Sequence, residues 1–98
     1  MVRYGAAVRR ATVNLLIDYP PEHPYHRATV AALQDAAGSA GVELAIRIAP
    51  TDTIDDVDAL TTRGCAVFIG PGTPYRSPEA ANRVISAARE RGVPLVAT

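Results

Sequence analysis

The chain has 98 residues, 48% of them hydrophobic, and ten arginines balance ten acidic residues to a formal net charge of zero. This composition excludes a disordered chain and a basic nucleic-acid-binding surface, and no apolar run approaches the roughly 20 residues that span a bilayer. The single cysteine excludes an internal disulfide, so we expect a cytoplasmic protein that binds neither nucleic acid nor a membrane.

The first predicted element is a strand over residues 11–18, because "ATVNLLID" is a short and nearly continuous apolar run, typical of a parallel sheet. Three prolines within residues 19–24 then forbid a helix. From Tyr25 the spacing predicts a helix that stops near Gly41. The residues that define its inner face at three- and four-residue steps are Thr29, Val30, Leu33, Ala37 and Ala40.

The next pair of elements is a strand and a short helix. "VELAIRIA", residues 42–49, alternates between apolar and polar positions, which predicts a strand close to an edge of the sheet. In "TDTIDDVDALTTRG" we predict a helix with Thr53 as its N-cap and with Asp55 and Asp56 in its first turn. Its inner face would comprise Val57 and Leu60.

The last predicted elements are a strand, a helix and a strand. "CAVFIG", residues 65–70, is apolar throughout and therefore predicts a central strand. Ser77 has the features of an N-cap, Pro78 those of a first helical residue and Gly92 those of a helix stop. "VPLVA", residues 93–97, predicts a fourth strand. The apolar stripe of the helix consists of Ala81, Val84, Ile85 and Ala88.

This alternation of strands and helices predicts an α/β fold with a parallel sheet. Right-handed crossovers favour the strand order 2-1-3-4, as in three-layer flavodoxin-like folds. We assign residues 1–10 to an N-terminal extension and residues 11–98 to one domain.

A ligand site is expected where the first and third strands end, because open parallel sheets bind ligands at the carboxyl ends of strands near the switch in strand order. The loop after the third strand contains Gly70 and Gly72, which let the backbone approach a ligand closely. Arg76 and the N–H groups of the following helix would favour a carboxylate, a phosphate or an oxyanion. The alternative is an ordinary tight turn whose prolines end the strand.

Two histidines follow the first strand. His23 and His26 lie near Asp18 and Glu22, a set that suggests a metal, but the prolines between them and the lack of a third ligand cluster argue against one. We predict neither a metal nor a cofactor. His26 is instead a candidate for a substrate contact or for a hydrogen bond at the helix start, and the alternative is that both histidines are surface residues.

The segment "AVFIGPGTPYRSPEAANRVISAARERGVPLVAT" resembles the class I glutamine amidotransferase domain, and most closely the C-terminal region of CTP synthase. That family has a "VPGGFGxRG" loop after a strand, then an "ARE" helix and "(I/V)P(Y/L)LG" before the nucleophilic Cys. The stand-alone relatives of that region, some of which use selenocysteine, carry "PGSPYRS" where this chain has "PGTPYRS". The matching residues are Pro71, Gly72, Arg76, Arg89, Glu90, Pro94 and Leu95.

The resemblance implies glutamine amide hydrolysis by a Cys, a His and a Glu, with delivery of ammonia to pyrimidine nucleotide biosynthesis. It places backbone donors of the oxyanion hole at Gly72 and Thr73, where Thr73 replaces a glycine of the family. Together with the strand-end argument, it gives a set of expected contacts to glutamine or a similar small anionic metabolite. These substrate-binding residues are Asp18, His26, Gly70, Pro71, Tyr75 and Arg76.

The resemblance also places the nucleophile at the position after Thr98, with the His and Glu further on. We therefore expect the N-terminal segment of an incomplete amidotransferase-like domain that is inactive alone. Since selenocysteine is encoded by UGA, the sequence is a candidate for a truncated selenoprotein.

Two alternatives remain from other functional classes. The chain could be a complete flavodoxin-like module without catalysis that binds a small anionic metabolite. Such a module, or the segment of a larger domain, would pair with a second copy or with the rest of the domain through the edge of the fourth strand. A third hypothesis is a phosphate-binding regulator that uses residues 70–79.

Overall fold

The computed structural model describes residues 9–71 and 75–97. Strands and helices alternate along the chain, with one 3₁₀ turn after the second strand. The elements are β1 (Arg9–Leu16), α1 (Pro24–Ser39), β2 (Val42–Ile48), the 3₁₀ turn Thr51–Thr53, α2 (Val57–Leu60), β3 (Cys65–Ile69), α3 (Pro78–Arg91) and β4 (Leu95–Ala97).

The four strands form one parallel sheet in the order β2-β1-β3-β4. Val13 of β1 lies between Ile46 of β2 and Ala66 of β3, and Val67 of β3 pairs with Leu95 of β4. This confirms the predicted α/β class, the order 2-1-3-4 and the edge position of β2, and the arrangement is that of a flavodoxin-like fold. The switch in strand order lies between β1 and β3.

The core lies between the sheet and α3. Full burial of one aliphatic side chain in this core stabilises the fold by about 1.5–3 kcal/mol. Val57 and Leu60 of α2 are partly buried and pack against this core, as predicted for the inner face of the short helix. The buried residues of this cluster are Leu16, Val67, Ile69, Ala81, Val84, Ala88 and Val93.

Both long helices begin and end near the residues that the sequence predicted. The ring of His23 accepts a hydrogen bond from the Tyr25 N–H, so His23 caps α1, which begins at Pro24, one residue before the predicted start. Ser77 caps α3 by accepting from the Ala80 N–H at 3.2 Å. Gly92 ends α3 with φ +66°, a conformation that glycine adopts without steric cost.

The prediction of a helix that begins at Thr53 is wrong. Residues 51–53 form a 3₁₀ turn, and Ile54 is extended, with φ −81° and ψ 109°. The helix is a single turn whose cap is Asp56, which accepts a hydrogen bond from the Ala59 N–H. Asp55 and Asp56 are both possible caps in "TDTIDD". The hydrogen bonds of Thr51 with Asp18 and Ser77 favour the 3₁₀ turn at residues 51–53 over a helix there.

All four strands differ from their predicted bounds, since β2 ends at Ile48 and β3 at Ile69, each one residue before the predicted end. β1 begins at Arg9 and ends at Leu16, and the following two residues leave the ladder. β4 is three residues long instead of five. Within the described ranges, none of the helices combines the length and the apolar character that a membrane crossing needs.

Candidate functional site

The carboxylate of Asp18 connects the loops that follow β1, β2 and β3. Its Oδ1 accepts the backbone N–H of Thr51 at 2.7 Å. Its Oδ2 accepts the hydroxyl of Thr51 at 2.8 Å and the backbone N–H of Arg76 at 2.8 Å. One side chain at the end of β1 therefore fixes the backbone of both neighbouring loops at the switch point.

These contacts also set the charge state of Asp18. Partial burial raises the pKa of the carboxyl, but the hydrogen bonds from Arg76 and Thr51, and the charge of Arg76, lower it by more. The net pKa lies below the ordinary value of 3.8. Asp18 is thus an ionised acceptor at neutral pH, and its charge-assisted hydrogen bonds are of the stronger kind.

Thr51 is a member of the site that the sequence analysis missed. It is only 1% exposed, and its hydroxyl accepts the Ser77 N–H at 2.9 Å while donating to Asp18. No pattern in the sequence marks this residue, because a single Thr in a polar loop gives no indication of a contact 26 residues away.

Several of the donors that could bind an anionic ligand near the start of α3 already have partners within the chain. The N–H groups of Arg76 and Ser77 are bound by Asp18 and Thr51. The guanidinium of Arg76 lies 3.7 Å from a carboxylate oxygen of Asp52, and both side chains are well exposed, so this ion pair contributes little stability. The anion at the start of α3 is a side chain of the protein itself.

The loop after β3 is closed at its base by Gly70 and Tyr75. The Gly70 N–H donates to the Leu16 carbonyl at 2.9 Å, and the Tyr75 hydroxyl donates to the Gly70 carbonyl at 3.2 Å. A Cβ at Gly70 would lie 3.3 Å from Cδ1 of Ile17, a tight contact that Ile17 would have to relieve by moving a few tenths of an ångström. The predicted oxyanion residues Gly72 and Thr73 lie outside the described residues.

His26 and the aromatic residues around it form a cluster above the end of β1. His26 is buried, 6% exposed, and its Nδ1 lies 2.9 Å from the Tyr19 carbonyl oxygen. The ring of His23 stacks on Tyr19 at 4.1 Å, and the ring of Tyr25 meets both edge-on. Of these rings Tyr25 is the most open to solvent, at 57%. His26 is therefore a packed residue with a backbone partner, and neither histidine is fully exposed.

An apolar groove lies beside α1, on the side of the sheet opposite α3. Because neighbouring residues of a strand point to opposite faces, Phe68 faces this groove while Val67 and Ile69 face the α3 core. The groove has an upper part of about 490 Å³, next to Pro71, and an adjoining part of about 330 Å³, next to Val96. The described residues that line it carry no charge; they include Ala28, Ala32, Leu33, Ala36, Ala66 and Phe68.

Among the described residues, no three His, Cys, Asp or Glu side chains come together in a way that could hold a metal ion. His23 and His26 point to different partners, the Tyr25 N–H and the Tyr19 carbonyl.

Comparison of the chain with protein-family models, curated proteins and solved structures gave no match.

Proposed function

We propose that the chain is the N-terminal segment of a CTP-synthase-like glutamine amidotransferase domain and carries the oxyanion side of its active site. The observation that supports this most directly is the base of the loop after β3. Gly70 and Tyr75 close it at the switch point between β1 and β3, where a ligand site is expected in this type of sheet. The amino-acid sequence of that loop is also the segment that resembles the amidotransferase family.

In this proposal the backbone N–H groups of Gly72 and Thr73 stabilise the oxyanion that forms when the glutamine amide is attacked. One such donor is worth about 3–4 kcal/mol in the transition state. Tyr75 and Gly70 close the base of the loop through their hydrogen bond, and the ring of Pro71 restricts the backbone after Gly70. In this proposal Asp18 acts through the backbone of Arg76, whose N–H it binds.

In this proposal catalysis also needs a Cys nucleophile, a His and a Glu, which the resemblance places beyond β4. We also propose a cytoplasmic location, since the chain has one cysteine and no possible internal disulfide.

Sequencing the source DNA beyond the Thr98 codon tests this proposal. We expect an in-frame TGA or Cys codon, a glycine-rich stretch, and later His and Glu codons. A frame that closes without them would exclude the amidotransferase function.

Binding of glutamine can be tested separately on the chain itself. In a titration of the ¹⁵N-labelled chain with L-glutamine, we expect the amide signals of Gly70 and Tyr75 to shift. D-glutamine is the control, because it offers the same groups in the wrong geometry. Identical responses to both compounds, or no response to either, would contradict a glutamine site.

A second candidate function is a non-catalytic module that binds a partner chain through β4 and the groove. The groove supports it, since large apolar surfaces without a cover commonly mark interaction sites. For a small anionic metabolite, the other ligand expected of such a module, fewer donors are open, because Asp18 and Thr51 already bind the N–H groups of Arg76 and Ser77. Sedimentation of the chain over a range of concentrations tests this candidate, which a strictly monomeric chain without partners would exclude.

A further inference from the structure

We infer that Thr51 is a positioning residue that, together with Asp18, sets the backbone orientation of Arg76 and Ser77 where the loop after β3 enters α3. As a role in catalysis this inference rests on the proposed function, but its structural content does not. Thr51 belongs to a different loop from the residues it would position, and no part of the sequence pattern marks it.

The first argument is the way in which the Thr51 hydroxyl is used. It donates to Asp18 Oδ2 at 2.8 Å and accepts the Ser77 N–H at 2.9 Å, so its proton and one of its lone pairs are both engaged. With 1% exposure, Thr51 offers no surface to a ligand. A hydroxyl that is buried and used in both directions serves to orient its neighbours.

The second argument is what these neighbours are. The N–H groups of two successive residues are bound: that of Arg76 by the Asp18 carboxylate and that of Ser77 by the Thr51 hydroxyl. Fixing two adjacent peptide units determines the direction in which the Arg76 side chain leaves the backbone. The guanidinium then lies next to Asp52, the residue that follows Thr51.

The third argument concerns the entry to α3. Ser77 donates its N–H to Thr51 while its own hydroxyl accepts from Ala80. Thr51 thus holds the N-cap residue of α3 in place. The 3₁₀ turn after β2 therefore fixes the position at which the loop after β3 enters α3. Tyr75 and Gly70 close the same loop independently.

Three variants separate positioning from general stability. Thr51→Val keeps the shape and removes the hydroxyl, Thr51→Ser keeps the hydroxyl, and Thr53→Val is the matched control. Thr53 lies in the same turn, but it is exposed, and within the described part of the chain its hydroxyl bonds only to the Pro50 carbonyl.

The measurement is amide hydrogen exchange, read by NMR on the ¹⁵N-labelled chain. We expect Thr51→Val to raise exchange at Ser77 and Arg76 roughly tenfold, while the amides of Ala49 and Val67 within the sheet keep their rates. Thr51→Ser and Thr53→Val should leave Ser77 and Arg76 as in the wild type. Unchanged exchange at both amides in Thr51→Val, or an equal rise at Ala49 and Val67, would overturn the inference.

A parallel L-glutamine titration of the same variants distinguishes this inference from the proposed function. If glutamine shifts the Tyr75 amide in the wild type, we expect a weaker response in Thr51→Val that Thr51→Ser restores. A wild type without any glutamine response contradicts the amidotransferase proposal, and the exchange rates still decide the positioning role of Thr51.

Discussion

The carboxylate of Asp18 and the backbone N–H of Arg76, which lie 58 positions apart in the chain, share a hydrogen bond of 2.8 Å. With the two bonds from Thr51, this contact makes the end of β1 the point at which three loops are tied together. The loops after β2 and β3 therefore depend on the ionised form of one side chain, and this dependence gives a pH prediction.

We expect Asp18 to stabilise the folded chain above pH 3.8 and to lose this contribution as the pH falls below that value. Because the folded-state pKa lies below 3.8, the folded chain binds the proton less readily than the unfolded one, so ionisation favours folding. Replacing Asp18 by Asn should lower the free energy of unfolding by about 2 kcal/mol at pH 7.

Urea unfolding of the wild type and of Asp18→Asn between pH 2 and 7 measures this difference. The gap between the two curves should close at the acidic end. Asp35→Asn serves as control, because Asp35 is an exposed carboxylate on α1. A gap that is independent of pH would contradict the prediction.

The sequence predicts the sheet well because each strand depends on local patterns. The apolar runs around Leu15 and Phe68 leave few alternatives to buried parallel strands, and right-handed crossovers then set their order. The caps at Ser77 and Gly92 are likewise local signals. The helix at Thr53 was predicted wrongly because two possible acidic caps follow within three residues, and only tertiary contacts decide between them.

The candidate site was predictable only in part. The switch in strand order pointed to Asp18 and to the loop after β3, and both do lie there. Their hydrogen-bond partners did not follow from the sequence, since a carboxylate near a helix start can bind a ligand or a backbone N–H of the chain itself. Thr51 has no signal because its partners are distant in the chain, and the burial of His26 depends on how α1 packs on Tyr19.

Asn14 gives a second prediction, since it is a polar residue in the centre of β1. Its Nδ2 donates to the Leu60 carbonyl at 2.9 Å, whereas its buried Oδ1 has no hydrogen-bond partner among the described residues. Replacing Asn14 by Asp removes the donor and places an unpaired charge in the core, so we expect a loss of about 3 kcal/mol at pH 7.

The matched control is Asn82→Asp on the exposed side of α3, which should change stability by less than about 0.5 kcal/mol. Equilibrium urea unfolding at pH 7 compares the two variants. Equal effects at both positions would mean that the Asn14 side chain is not buried in the folded chain.

Two glycines should respond to alanine with opposite signs. Gly38 lies within α1, and a Cβ there would meet no atom within 4 Å, so Gly38→Ala should stabilise the chain by about 0.5–1 kcal/mol. Gly92 has φ +66°, where an L side chain costs about 1–2 kcal/mol, so Gly92→Ala should destabilise it. Thermal unfolding of both variants tests this. A shift of the same sign in both would contradict a helical Gly38 or a left-handed Gly92.

Val96 gives the last prediction, which concerns the groove beside β4. Its side chain is 56% exposed at the border of an uncharged apolar surface. If this surface binds a second copy of the chain, then Val96→Asp places a charge in the interface. Since a buried Val contributes about 1.5–3 kcal/mol, we expect association to weaken by at least roughly tenfold while the unfolding of the monomer changes little.

Ile48→Asp is the control, because Ile48 is 42% exposed on the opposite edge strand β2. Sedimentation should show a wild type above 10.3 kDa and a Val96→Asp variant at that mass. A wild type that stays monomeric, or an Ile48→Asp variant that dissociates equally, would contradict association through this surface.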